Sequence, residues 1–492
     1  MCPARRVVGV YAIVGGILIH LTLGNLYSFG NMMTYMVSYM HQRVDPTITY
    51  ANILWVNSIT TMAQGFFMVL GGLLEKQAGP QLTCLLGCSI LSAGIILTRY
   101  TVELSLFAVI LTYGLLSGLG ISLAYATPLS CGMQWFPRHK GLVNGLIVAG
   151  FGLGALGSTT LQTMYLNPEN KPPQNDGYFV EGSILNRVPS VFVLLGTIFL
   201  CMQVTGCILL KKPPQNKVIH CQQESEGLLL EEVTYDEHEL HTNSPYITSS
   251  SSTTSSTTIT SPCSDLKPQE VIKHRTFWML WLIYFFNTIA IGYINAMGKS
   301  FGQTYIKDDH FLAVMISMAA IFNAGGRVAW GRLMDITSFR ISMRMVTSLL
   351  TILFATMPLT VYLGKGGFMI WLWAIFFTFS GTFVLMPTAI EKTFGADHYS
   401  ANYGLLFTSQ TVSGPLIALG NQLLLTTFGF TGCFLVVAFI IFLRGEAGQG
   451  QQKKKKGPLF FFFFIYAMWA FHGNLWAKGD TFWVPPISKS TR

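Results

Sequence analysis

The chain has 492 residues, of which 51% are hydrophobic and only 11% charged, against about 25% charged in an ordinary soluble domain. That composition excludes a single water-soluble core. The 36 Phe and 48 Gly suit helices packed in lipid, where small residues let backbones approach. The net charge of +9 follows from how Lys and Arg are shared among loops, so it implies no nucleic-acid partner.

A helix needs about 20 apolar residues to cross the hydrocarbon. In chain order, such runs predict spans over 8–36, 52–74, 82–99, 104–131, 141–165 and 188–210, then 276–303, 311–333, 341–363, 368–390, 402–425 and 427–443. The expected fold is an all-α membrane protein with twelve transmembrane helices in two six-helix halves. The halves are 1–210 and 276–443, joined by a linker over 211–275. From Ser249 to Ser261 that linker is Ser and Thr throughout except Ile259. It cannot bury enough apolar surface to fold, and reads as a disordered tether.

The atypical tail over 444–492 carries Lys453 to Lys456 and a Phe460 to Phe464 run. Hydropathy allows an extra apolar segment over 458–477. The tail reads instead as an alternative or mispredicted coding end that cuts span twelve short, at 17 residues. No cleavable signal peptide is evident, since the first apolar run is long and Gly-rich.

Lys and Arg concentrate on cytoplasmic loops. With the N-terminus inside, that side holds Arg5, Arg6, Lys76, Arg138, Lys140, Arg340, Arg344 and Lys392, with Lys211, Lys212, Lys273 and Arg275 in the linker. The other side holds Arg43, Lys171, Lys307 and Lys365. Both ends of the twelve-helix core are therefore expected in the cytoplasm. The nine cysteines form no disulfide or metal pattern. Cys84 and Cys88 share a helical face but have no His or acidic companion, so they read as packing.

Arg327 interrupts the apolar run of span eight. A guanidinium at a helix centre costs about 2.5–3.5 kcal/mol on insertion scales and marks a functional-site candidate. It lies eight residues before Asp335, about 12 Å along a helix and so near the bilayer midplane. There it can grip a carboxylate through two parallel hydrogen bonds. The alternative is an arginine snorkelling inward, or paired with Asp335 or Glu391.

The halves echo each other. Gly71-x-x-x-Glu75 closes span two and Gly331-x-x-x-Asp335 closes span eight. Gly141-Leu-Val-Asn-Gly145-Leu146 opens span five, and Asn402-Tyr403-Gly404-Leu405 opens span eleven. Whole six-helix repeats imply parallel halves that rock around a site between them. This pattern resembles the major facilitator superfamily over residues 1 to 443. The family's loop signature, Gly-x-x-x-Asp-Arg/Lys-x-Gly-Arg, is matched by residues 331–335. The N-terminal copy departs: aligned on Gly79, its acidic position holds Lys76 and its basic one Gln77. Trp135-Phe136-Pro137-Arg138-His139-Lys140-Gly141-Leu142, Ala149-Gly150-Phe151-Gly152-Leu153-Gly154, Asn402-Tyr403-Gly404 and Gly326-Arg327-Val328-Ala329-Trp330-Gly331 resemble oxalate/formate antiporter-like and monocarboxylate carriers.

That resemblance implies that Arg327 binds a carboxylate. The second cation of the oxalate antiporters falls on Gln410, and the helix-one lysine of monocarboxylate carriers falls on Asn31. One cation suits a monoanion, because a second charge would lie uncompensated in a low-dielectric site. Tyr27, Tyr125 and Trp330 are candidate lining residues. His20 titrates in the useful range and is a candidate proton carrier, with hydrogen-bonded packing as the alternative. Lys299 reads as a snorkelling residue. The Gly150-x-Gly152-x-Gly154 run follows no strand and reads as helix packing rather than a nucleotide loop.

The expected function is a secondary active transporter of small monocarboxylates of the pyruvate, lactate or formate type, working by alternating access. Glu75, Lys76, Arg138, Gly331, Asp335 and Arg340 would line the inner gate. An oxalate/formate-type exchanger and a non-transporting sensor of the same fold are the alternatives. No enzymatic activity and no cofactor are expected. Partners are the anion, protons or a counter-anion, and the bilayer, with the plasma membrane expected over an organelle.

Overall fold

The computed structural model describes residues 3–171, 173–174, 178–213, 265–306 and 308–447. The expected tether over 214–264 and the tail over 448–492 fall outside them. The chain divides into two units, Met1–Gly445 and Glu446–Arg492, and the first is the subject below.

Among the described residues the regular structure is entirely helical. Span one runs Pro3–Leu23, tightens into one 3-10 turn at Gly24–Ser28 and continues over Phe29–Arg43. Span two is Tyr50–Ala78 and span three Pro80–Thr101. Span four is Leu106–Val109, a π-turn at Ile110–Leu116 and Ser117–Trp135. Span five is Lys140–Leu166 and span six Val188–Leu209. Span seven is Arg275–Gln303 and span eight Asp309–Ile336. Span nine starts at Phe339 and span ten ends at Phe394, the two hinging at Gly364 (φ 66°). Tyr399–Ala447 holds spans eleven and twelve, hinged at Gly429 (φ 62°). Both hinges are left-handed backbone that glycine adopts without penalty.

Eight of these helical stretches are long and apolar enough to cross a membrane on length and composition. Span eight, with its buried arginine, is not one of them. At 28 residues it is nonetheless about 42 Å long, more than the hydrocarbon requires. The expected gap over 364–367 shrinks to the single hinge residue Gly364, because a positive-φ glycine reverses the chain with no loop.

Local sequence explains the starts. Thr49 and Asn52 form a capping box before span two. Gly79 (φ 82°) and Pro80 start span three. Asp308 accepts from the Phe311 amide at 3.0 Å before span eight, and Ser338 from the Ile341 amide at 3.3 Å before span nine. Such caps occupy amides that the first turn leaves unpaired.

Glycines set the packing. An added Cβ on Gly24 would run into the Phe151 carbonyl, and one on Gly154 into the Leu21 carbonyl, so spans one and five touch backbone to backbone. The Gly150 to Gly154 run is thus a packing seam. Two more seams join the halves. Span five meets span eight where Gly141 and Gly331 face each other's carbonyls, and span two meets span eleven where Gly72 abuts Ala401 and Gly404 abuts Met68.

Candidate functional site

We call the face where span one begins the near face. There the loops after spans two, four, eight and ten come together. Asp335 ends span eight and accepts 2.8 Å hydrogen bonds from the amides of both Gly141 and Leu142. These belong to the first turn of span five, so an acid from one half caps a helix of the other. The position is favourable because the amides are otherwise unpaired and the helix start carries partial positive charge.

The repeat places Glu75 in the equivalent position. It is buried, ion-pairs with Lys212 at 2.8 Å and accepts from the hydroxyls of Ser400 (2.5 Å) and Thr127 (3.3 Å). Alignment on Gly71 rather than Gly79 therefore gives the acidic counterpart of Asp335. The cation that meets it comes from Lys212 after span six, not from the signature itself. Burial opposes the Lys212 charge, and Glu75 beside it outweighs that and raises its pKa.

Lys140 pairs with Glu391 at 3.2 Å, and Asn144 donates to the Thr388 hydroxyl at 2.9 Å, again across the halves. Lys76 lies 2.8 Å from His398 Nε2. Partial burial and the Lys76 cation hold the pKa of His398 below the ordinary imidazole value. Arg138 is exposed and Arg340 half-buried. Among the described residues the acids of this layer are met by Lys140, Lys212 and amides instead.

Arg327 lies deeper, 1% exposed. Neither Asp335 nor Glu391 holds it. Its Nη1 donates to the Val148 carbonyl of span five at 2.5 Å, while Nε has no partner. Its guanidinium lies 5.7 Å from the Phe151 ring and 5.2 Å from the Phe383 ring. Cation–π attraction at this distance is worth about 0.5–2 kcal/mol. Around these two rings stand Tyr27, Tyr125 and His20, 5.1, 5.5 and 6.4 Å from Phe151, and Tyr284, 6.3 Å from Phe383, with Tyr403 5.0 Å from Phe407 beyond. Asn323, one turn away on the same helix, has an unpartnered buried Oδ1.

His20 is wholly buried. Its Nδ1 lies 3.0 Å from the Gly16 carbonyl, which only a protonated nitrogen can satisfy, so Nε2 is the acceptor. Nε2 has no partner, and the ring packs 5.0 Å from Tyr125 and 6.4 Å from Phe151. His20 and Arg327 thus share one aromatic wall.

Gln410 donates to the Tyr284 hydroxyl at 2.8 Å, and Tyr284 packs 5.3 Å from Phe407, which lies 5.5 Å from Tyr125. Gln410 therefore joins the same cage. Asn31 does not: it donates to Gln162 at 3.0 Å and Thr163 at 3.3 Å within the N-terminal half. Trp330 also points elsewhere, its indole donating to the Phe377 carbonyl at 3.0 Å against span ten. Lys299 is half-buried four residues before the end of span seven. Tyr403 belongs to the Asn402-Tyr403-Gly404 motif, whereas Tyr284, Phe383, Phe407 and Asn323 carry no sequence signal that separates them from ordinary packing residues.

The cage is closed on the near side by the layer described. Tyr27 packs 5.1 Å from Phe151 and is 40% exposed. On the far face two aromatic residues of the segment between spans five and six pack onto span one. Phe179 stacks on Tyr35 at 4.9 Å and donates its amide to Ser38, while Tyr178 stacks on His41 at 4.4 Å.

This arrangement of parallel halves around a central polar residue coincides with a match to the Major Facilitator Superfamily over residues 15–418. The chain belongs to the major facilitator superfamily. It is 28% identical to apicoplast pyruvate carrier 1 of Toxoplasma gondii, over 87% of this chain and 86% of that protein. It is 23% identical to the oxalate:formate antiporter of Oxalobacter formigenes, over 76% of each. The crystal structure of the Escherichia coli fucose:proton symporter superposes with a TM-score of 0.58 at 12% identity, covering 90% of this chain and 98% of that one. The chain is thus an integral, multi-pass membrane transporter.

Proposed function

We propose that this transporter carries small monocarboxylates of the pyruvate, lactate or formate type by alternating access, with Arg327 as the anion's cation. The observation that carries the reading is a fully buried guanidinium with no carboxylate paired to it among the described residues and with Nε unpartnered. A buried charge without a partner is costly, and an anion arriving between the halves removes that cost. Tyr27, Tyr125 and Gln410 line the path, while Asn31 and Trp330 hold the helices that frame it. Gln410 is neutral, so a monoanion balances the site and oxalate leaves one charge over.

The near face is read as cytoplasmic. Asp335 on the span-five amides, Glu75 with Lys212 and Ser400, and Lys140 with Glu391 form the inner gate in its closed state. Release inward requires these contacts to part together. His20 Nε2 is the natural acceptor for a proton travelling with the anion. The names of the two relatives, a pyruvate carrier and an oxalate:formate antiporter, agree with a small carboxylate. Uptake of labelled pyruvate, lactate, formate and oxalate into proteoliposomes tests the reading. Saturable uptake of a monocarboxylate, lost in Arg327→Gln, is expected; binding without uptake would favour a sensor.

A further inference from the structure

Away from the anion path, spans three and six form a second chemical site. The span-three cysteines Cys84 and Cys88, one turn apart, read from sequence as packing alone. The fold adds Cys207 of span six. The register is set by Ser92, which donates to Gln203 at 2.7 Å, and by Gly196, which lies against Ser92 and Ile96. In this antiparallel pairing the three sulfurs all lie within 4.8 Å of one another, and all three residues are buried.

Three sulfurs around one ion, with bonds of about 2.3 Å, stand about 4.0 Å apart in a trigonal plane and closer in a pyramid. The thiols are thus within 1 Å or so of ligand spacing, less than a staggered χ1 change moves a sulfur. An all-sulfur donor set selects soft, thiophilic ions. Burial selects further, because net charge left in an apolar site is costly. Three thiolates on a monovalent ion leave two negative charges, and on a divalent ion one. On a trivalent ion they leave none.

We infer that Cys84, Cys88 and Cys207 form a trivalent-metalloid site, of which arsenite is the simplest ligand. In the binding step three S–As bonds form and three As–O bonds of arsenous acid break. Each thiol proton leaves with a hydroxide as water, and nothing is oxidised or reduced. Entry is from the near face, since Cys84 lies four residues into span three and Cys207 two residues from the end of span six. Both spans belong to the same half, so the site is independent of Arg327.

The test uses the purified full-length transporter, reduced and freed of reductant, incubated with arsenite and desalted. Arsenic is measured by mass spectrometry and free thiols are titrated after denaturation. About one arsenic per chain and three thiols lost are expected. Cys207→Ser should weaken retention at least about tenfold, while Cys201→Ser, at an exposed cysteine, and Arg327→Gln should not. Substoichiometric arsenic, fewer than three thiols lost, or unchanged retention in Cys207→Ser would overturn the inference. So would zinc binding that arsenite fails to displace, because it would contradict the neutral-complex argument.

Discussion

Asp335→Asn removes a charge from the inner gate without changing its shape. Asp335 accepts two amide hydrogen bonds of 2.8 Å each from Gly141 and Leu142, and both cross from one half to the other. Removing an N-cap costs about 0.5–2 kcal/mol, and losing the negative charge at a helix start costs a further 0.3–1 kcal/mol or so. Asn keeps one acceptor, so the net loss is about 1–2 kcal/mol. In the proposed alternating-access cycle these bonds part when the gate opens, and the whole loss then falls on the conformational equilibrium, roughly a 5- to 30-fold shift. Spin labels at the exposed Arg138 and Arg332 report the near-face separation by pulsed dipolar spectroscopy. The long-distance population should grow in Asp335→Asn relative to the parent. Superimposable distance distributions would refute the idea that this cap holds the gate.

Other consequences follow from the same contacts. Gly331→Ala drives a methyl into the Gly141 carbonyl, so the gate should fail to close and uptake should fall to background while the helical circular dichroism is retained. His398 has a lowered pKa, so its neutral form favours the closed gate above about pH 6.5. That contribution should fade as pH drops below this value, and Lys76→Gln should flatten the pH dependence of the dipolar signal. His20→Gln replaces the basic unpartnered Nε2 with an amide that takes up no proton, and acid-stimulated uptake should disappear while anion binding persists; a preserved proton gradient effect would exclude His20. Gln410→Lys adds a cation to the cage and should raise oxalate over pyruvate binding about tenfold in competition assays, one charge-assisted bond's worth.

Much of the fold is legible in the sequence because each span satisfies its own backbone hydrogen bonds, so length and hydropathy report it directly. Arg327 stood out for a related reason: charge in an apolar run has few explanations. What the sequence hid are the contacts between distant segments. The cap of span five by Asp335 joins residues 194 positions apart, and neither residue type marks the pairing. Glu75 is legible as the counterpart of Asp335 from Gly71-x-x-x-Glu75, but its cation is not, since it comes from Lys212 beyond the signature. Phe383 and Phe407 are two phenylalanines among 36, so composition cannot single them out. Trp330 and Asn31 drew attention by type and position, yet their side chains turn toward Phe377 and Gln162, because helix rotation decides which face meets the cavity.

Equilibrium binding of labelled monocarboxylate to the purified protein, parent against Arg327→Gln, tests the central claim most directly. Gln is two bonds shorter than Arg and loses the reach of Nη1 to the Val148 carbonyl, so helical circular dichroism on the same samples checks that the fold holds while the charge is lost. Saturable binding of pyruvate or lactate by the parent, with none detectable in the variant, is the expected result. Equal affinity in the two would mean that Arg327 is not the anion's partner.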